Sequence, residues 1–275
     1  MDAFYHPAGT VEVEGAAYEA FEPTRFTASV WADTMQHGAP PAALMVRALE
    51  RSAAPGMLLS RITTELLGVV PITQSRVRAW VSRPGRAVSM VSAEVECADR
   101  SGAFRPVARA HAWALASSDT AGFSRDLTPA IPVDGDAAAP AFFEAVRGAG
   151  FLGACEWRFV PPAVDADGAE TAQRCWVRAT VPLVAGEEPS DLVRVFSVID
   201  AANGVSARMD PVQVTWMNMD MTVHLHRAPR LVDGWVGIAA DQQIGATGLG
   251  TTASEIYDAD GHFARGAQTL LVSAR

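Results

Sequence analysis

The 275-residue chain contains no lysine, so its 22 basic side chains are all arginines, set against 31 acidic ones. The formal net charge is −9. An acidic chain with scattered arginines is a poor binder of polyanions, so nucleic acid is not an expected partner. A local arginine cluster could still hold a phosphorylated small molecule.

Cysteine and long apolar runs are also scarce. Cys97, Cys155 and Cys175 lie far apart without a CxxC pair, which argues against a zinc site or a disulfide framework and favours a reducing compartment. No apolar run approaches the ~20 residues that a membrane helix needs. Residues 1–15 lack the basic and apolar regions of a signal peptide. We therefore expect a cytoplasmic protein with no membrane partner, no metal and no cofactor.

The segment Trp216–Arg227, "WMNMDMTVHLHR", alternates between apolar and polar residues. Such alternation predicts a half-buried β-strand with its methionine-rich face in a core. The opposite face would carry five polar side chains: Asn218, Asp220, Thr222, His224 and His226. This face could simply meet water. The two histidines could instead ligate a metal, but no third ligand follows at a suitable spacing.

The same order of elements occurs twice along the chain. In each part, strand-like segments surround one helix, predicted at "HGAPPAALMVRALERS" and at "SDLVRVFSVIDAAN". Pro40 and Pro41 suit the first turn of the first helix, and Ser190 is the predicted N-cap of the second. Residues 116–140 are rich in Ser, Asp, Pro and Gly and predict a linker that crosses the surface.

The two parts also match residue by residue. When they are aligned, Glu65 corresponds to Asp220 and His111 to Gln268, and the number of residues between the members of each pair is nearly equal in the two parts. We therefore predict a duplicated α+β fold in which each unit is one helix wrapped by an antiparallel sheet. The predicted boundaries are residues 1–118, a linker at 119–145, and residues 146–275. Glu65 and His111 would be either a second active pair or remnants with a structural role.

A sheet wrapped around one helix resembles the hotdog fold, and two copies in one chain resemble the acyl-CoA thioesterase II (TesB-like) double-hotdog family. The resembling stretches are "HGAPPAALMVRALE", "RVRAWVSRPGRAVSMVSAEV" and the region from "MDMTVHLHRAP" to "GAQTLLVSAR". The family uses an Asp, a Ser or Thr, and a Gln to hold a water against the thioester carbonyl. The resemblance places the Asp on Asp220 and the Gln on Gln268. The hydroxyl position falls on Gln242, which is a departure, with Gln243 as the alternative if the register slips by one residue.

The resemblance implies an acyl-CoA partner that is hydrolysed to free acid and CoA. Asp220 is the one group of the three that can accept a proton, so we expect it to be the general base, with Gln242 and Gln268 holding the water. The oxyanion and substrate would meet backbone N–H groups at the start of the first helix, around His37 and Gly38. The site would then lie between the two units. The "RPGR" segment, Arg83–Arg86, predicts a hairpin turn. This turn could also contact a CoA phosphate.

Two other functions stay open. A hotdog hydratase-dehydratase would need a carboxylate and a histidine in a loop that leads into a helix, and "VAGEEPSDL" has no histidine. A non-catalytic acyl-thioester-binding protein is the other, because Gln242 is not a hydroxyl. A monomer of two hotdogs and a homodimer of such chains are both compatible with the sequence.

Overall fold

The computed structural model describes residues 2–135, 137–148 and 150–275. In this part of the chain, one 13-stranded sheet accompanies five α-helices. The strands are β1 (Tyr5–Val13), β2 (Ala16–Pro23), β3 (Met57–Leu66), β4 (Ser75–Arg83), β5 (Val88–Ala98), β6 (Phe104–Ala116), β7 (Cys155–Val164), β8 (Glu170–Ala179), β9 (Val214–Asn218), β10 (Asp220–Leu225), β11 (Val236–Ile244), β12 (Leu249–Asp258) and β13 (Gly261–Ala274). The helices are α1 (Ala39–Ser52), α2 (Ala141–Val146), α3 (Gly150–Gly153), α4 (Asp191–Phe196) and α5 (Ala202–Val205).

The strand order shows the duplication. The first unit runs β1-β2-β4-β5-β6-β3, and the second continues as β10-β13-β12-β11-β8-β7, with β9 also paired to β13. Read from its outer edge, the second unit repeats the first, and the two join where β3 pairs antiparallel with β10. This confirms the predicted fold class. It also shows how each unit covers the edge strand of the other.

Helix α1 is buried along most of its length, from Ala39 to Leu49. The sheet of the first unit curves around it and α4 packs against it. Its buried charge, Arg47, is neutralised by bonds to Glu19 at 2.9 Å and Glu187 at 2.7 Å. A buried guanidinium is tolerated only with such partners, so this ion-pair cluster is structural.

The second helix is broken, whereas the sequence predicted a single one. Helix α4 ends at Phe196, a 3-10 turn covers Ile199–Ala201, and α5 follows. The hydroxyl of Ser197 donates to the carbonyl of Val193 at 2.8 Å, and Val198 leaves the helical region with a φ of −133°. Serine back-bonding and β-branched residues both weaken a helix. The break turns Asp200, the residue after Ile199, toward the start of α1.

The strand predicted in Trp216–Arg227 is also interrupted. Asn218 pairs with Leu270, but Thr222 pairs with Ala267, so this strand has one extra residue between the two pairs. Such a β-bulge exchanges the faces of the strand. The prediction of continuous alternation is therefore wrong at its centre: Asn218 points inward before the bulge, and Asp220 points outward after it.

Candidate active site

Asp220, the predicted general base, lies outside the site that the structure forms. Its Oδ1 accepts a hydrogen bond from the backbone N–H of Thr269 at 2.7 Å. Its Cα partner across the junction of the two units is Glu65. Gln268 is buried on the opposite, inner face of β13. The predicted convergence of Asp220 and Gln268 on one water is thus not formed, because the bulge turns Asp220 to the outer face.

Gln268 instead meets Asp200, which the sequence analysis did not single out. The side-chain Nε2 of Gln268 donates to the backbone carbonyl of Asp200 at 3.0 Å and lies 3.5 Å from its Oδ1. The side-chain amide of Asn218 donates to the same Oδ1. Asp200 is 4% exposed. The helix break and the strand bulge together bring this carboxylate and two carboxamides to one point.

Burial changes the acidity of Asp200. It raises the pKa of the carboxyl from 3.8 to about 7, against the smaller opposing effect of the hydrogen bonds from Asn218 and Gln268. No arginine lies close enough to hold the carboxylate in its charged form, in the part of the chain that the structure describes. A carboxyl group with a pKa near the operating pH can both take up and release a proton.

His37 lies against the other oxygen of this carboxyl group. Its Nδ1 is 3.3 Å from Asp200 Oδ2 and accepts the backbone N–H of Ala39 at 3.1 Å. Burial lowers the pKa of His37 to about 3, so the ring is neutral. The ring stacks on that of Phe151, and the two ring centroids lie 4.0 Å apart. The Nδ1–Oδ2 contact is therefore not a salt bridge. It joins two acceptors and favours the protonated form of Asp200.

Gly38 precedes α1 and touches the same oxygen. A Cβ at this position would lie 2.6 Å from Asp200 Oδ2, so the close approach requires glycine. The helix start has no side-chain cap, and Pro40 and Pro41 carry no N–H. Since Ala39 donates to His37, the N–H of Gly38 is the donor that the described residues leave available at this helix start.

A cavity of ≈ 260 Å³ opens beside this cluster, between the two units. Its polar side is formed by His37, Asp200 and Asn218, and the rest is mainly apolar. Among the apolar lining residues are Trp31, Met35, Leu66, Phe142, Trp216, Met217 and Leu271. A concave, mostly apolar space with a few convergent polar groups is typical of a small-molecule site.

The other predicted glutamines lie further out. Gln242 donates to the backbone carbonyl of Asn203 at 3.4 Å, and the Asn203 side chain in turn donates to Asn218 at 3.3 Å. Gln242 is therefore separated from Asp200 by two residues. Gln243 is exposed at the end of β11, opposite Thr251. Of the predicted site residues, the structure brings together His37, Gly38 and Gln268, and leaves out Asp220, Gln242 and Gln243.

The remaining candidates fall outside the cavity. His111 lies on the outer face with its Nδ1 3.2 Å from Ser92 Oγ, so it does not correspond to the inward Gln268 over which it was placed. His226 stacks on His262 at 5.1 Å. The described residues contain no group of three or more His, Cys, Asp or Glu placed to hold a metal. The "RPGR" segment connects β4 to β5.

Two family models match the chain. The acyl-CoA thioesterase N-terminal domain matches residues 27–115, and the acyl-CoA thioesterase C-terminal domain matches residues 129–272. No curated protein matches it. None of the helices described is both long and apolar enough to cross a membrane.

Solved structures show the same fold over nearly the whole length. A putative thioesterase II from Thermobifida fusca is 17% identical, with a TM-score of 0.68 over 96% of this chain and 95% of that one. A hot dog fold protein of unknown function from Alicyclobacillus acidocaldarius is 14% identical, with a TM-score of 0.67 over 97% and 96%. An acyl-CoA thioesterase II from Mycobacterium marinum is 12% identical, with a TM-score of 0.65 over 97% and 95%. At these identities the likeness concerns the fold, a double hotdog.

Proposed function

The chain belongs to the acyl-CoA thioesterase family and is a thioester hydrolase, and from that premise we propose that Asp200 is the general base that activates the attacking water. The supporting observation is a single buried carboxyl group, with a pKa of about 7, beside a mainly apolar cavity. Positioned general bases contribute about 100- to 10,000-fold to a rate, most when their pKa lies near the operating pH.

Both carboxamide side chains contact the same oxygen of the Asp200 carboxylate. Asn218 and Gln268 both lie against Oδ1, so Oδ2, beside Gly38, remains to take the proton of the water. Asn218 thereby takes the place that the sequence analysis gave to Gln242. The Oε1 of Gln268 is buried and has no partner among the described residues, and we propose that it accepts a hydrogen bond from the water.

The reaction then proceeds by addition and elimination. The water oxygen bonds to the thioester carbon while its proton passes to Asp200. The negative charge that develops on the carbonyl oxygen is stabilised by the N–H of Gly38 and by the positive end of α1. The carbon–sulfur bond breaks, and the departing CoA sulfur takes the proton from Asp200. The products are a free acid and CoA, and Asp200 returns to its ionised form.

The decisive experiment compares Asp200→Asn with Asp220→Asn. Thiol release from acyl-CoA substrates, followed with a thiol reagent, should fall by about 100- to 10,000-fold in kcat for Asp200→Asn and stay within about threefold of wild type for the outer-face control. The kcat/KM of the wild type should rise with pH through about 7 and then level off. Loss of activity in Asp220→Asn with activity retained in Asp200→Asn would reverse the assignment.

The same assay separates the two other functions. Hydration of an enoyl thioester would remove the enoyl absorbance without releasing thiol. A binding protein would release no thiol in any variant, but acyl-CoA would raise its melting temperature. Either result contradicts hydrolysis.

We also propose that one chain suffices for one complete site, because both walls of the cavity come from the same chain. Light scattering during gel filtration, with activity measured across the peak, tests this against a homodimer whose subunits depend on each other.

The three cysteines are free and buried, and burial raises the pKa of Cys97 to about 11. Unpaired, unreactive thiols support a cytoplasmic location.

A further inference from the structure

The cavity has an open end and a closed end. Three of its apolar lining residues are well exposed: Val69 at 64%, Met219 at 41% and Leu271 at 48%. Trp216 and Phe143, which line the same cavity, are each 1% exposed. The exposed side chains therefore mark the mouth of the cavity, and the buried rings lie deeper in it.

Three aromatic rings form one wall of the cavity, with Trp216 buried and Trp31 and Phe142 partly exposed. Trp31 stacks on Phe142 at 6.1 Å, and Trp216 meets both rings edge-on, at 5.3 Å from Trp31 and 5.1 Å from Phe142. These residues come from three parts of the chain: the loop before α1, the linker helix α2, and β9. Each ring is held by the other two, so the wall has a defined position.

The linker helix is fixed from its other side. Phe143 packs edge-on against Trp157 at 4.6 Å and Phe159 at 5.0 Å, both on β7 of the second unit. The neighbouring Phe142 is thus presented to the cavity by an anchored helix. Helix α2 lies just beyond residues 116–140, which the sequence predicts to cross the surface, and at the end of the linker predicted at 119–145, so this end of the linker contributes a wall to the site.

The size and charge of the cavity limit what can fill it. The lining contains two ionisable side chains, His37 and Asp200, among the described residues. Neither can pair with a terminal carboxylate on the ligand. At ≈ 260 Å³ the cavity lies slightly below the range of about 300 to 1,000 Å³ that is typical of ligand pockets, so it limits the length of a bound acyl chain.

We propose that Phe142 is the specificity-determining residue that, with Trp31 and Trp216, ends the acyl-binding cavity and restricts the substrate to uncharged acyl chains of limited length. This inference rests on the proposed function for its substrate, but not for the shape of the cavity. Removing the Phe142 ring extends the closed end toward the linker, because Phe143 keeps α2 in place.

The test measures kcat/KM for straight-chain acyl-CoA substrates from butyryl to palmitoyl. The wild type should be fastest on a chain shorter than palmitoyl and at least about tenfold slower on palmitoyl itself. Phe142→Ala should move the optimum to chains about four carbons longer, and Phe142→Leu by less. Phe123→Ala is the matched control, because Phe123 lies in the same linker but is 88% exposed. Its profile should equal that of wild type.

Binding of non-hydrolysable thioether analogues of acyl-CoA separates this inference from the proposed function. If the wild type hydrolyses acyl-CoA but Phe142→Ala and Phe142→Leu keep the wild-type profile, the inference is overturned and hydrolysis stands. If no chain length is hydrolysed, yet the affinity for the analogues still shifts to longer chains in both variants, the cavity wall is confirmed and hydrolysis fails. Melting temperatures of both variants verify that each is folded.

Discussion

The starts of helices α1 and α4 occupy equivalent places in the two units, yet only the start of α4 has a side-chain cap. Ser190 caps α4, since its hydroxyl oxygen accepts the N–H of Val193 at 3.2 Å and its hydroxyl donates to Glu50 at 2.6 Å. Gly38 leaves α1 without a side-chain cap. Both ends face a carboxyl group from the helix of the other unit, Glu50 in one case and Asp200 in the other.

The difference separates a structural helix end from a functional one. At Ser190, one hydroxyl satisfies a backbone donor and the carboxylate together, so little remains for a ligand. At Gly38, the missing side chain lets the carboxylate approach and leaves a backbone donor beside it. We infer that the duplicated fold retains one site of the two that its symmetry offers.

The largest expected effect concerns the stability of the Asp200 end. The folded-state pKa of Asp200 is about 7 against an ordinary 3.8. Because of this raised pKa, protonation of Asp200 makes its full contribution to the stability of the folded protein below pH 3.8. That contribution is lost as pH rises through about 7. The loss is at most about 4 kcal/mol. Asp200→Asn cannot ionise, so its free energy of unfolding should exceed that of wild type near pH 8, with a smaller excess near pH 5.

Urea unfolding at the two pH values measures this difference. Glu50→Gln is the matched variant at the capped end. The pKa of Glu50 is also raised by burial, but the Ser190 hydroxyl and Arg51 oppose the rise. Its gain should be smaller than that of Asp200→Asn. An Asp200→Asn protein less stable than wild type at both pH values would show that burial is not the dominant influence on this carboxyl.

The next effect concerns the close approach at Gly38. In Gly38→Ala, the new Cβ would meet Asp200 Oδ2 at 2.6 Å, so the Asp200 carboxyl group must shift from its position. We expect kcat to fall about 100-fold, as when one oxyanion donor is lost. Gly122→Ala is the control, because a Cβ there meets nothing within 4 Å. Full activity in a folded Gly38→Ala protein would contradict a site at this helix start.

The sequence was sufficient for the duplication and for the start of α1. Periodicity distinguishes helix from strand, and the order of elements repeats, so the α+β class followed from local patterns. Gly38 was found for the same reason, since the paired prolines mark a first helical turn. Gln268 was found through the resemblance of its strand.

The proposed base, Asp200, was missed because two irregularities place it. A bulge at Met219 exchanges the faces of the strand, so Asn218 enters the site while Asp220 leaves it. The break at Val198 orients Asp200. Both depend on pairing with distant strands, which local alternation does not contain. One signal was present: Asp200 is the sole carboxylate in the apolar run "VFSVIDAA", and burial of an acid is costly, so an acid retained in such a run is a candidate for a functional site.

The smallest effect should appear at the capped end. Ser190→Ala removes the bond to the N–H of Val193 and the donor to Glu50, so the free energy of unfolding should fall by about 1 kcal/mol. The kcat should change less than twofold, because this helix start lies outside the cavity of Asp200. Chemical unfolding and thiol release, measured on the same preparation, test both expectations. A large loss of activity with little loss of stability would mean that the second helix start also serves catalysis, and the contrast between the two ends would be wrong.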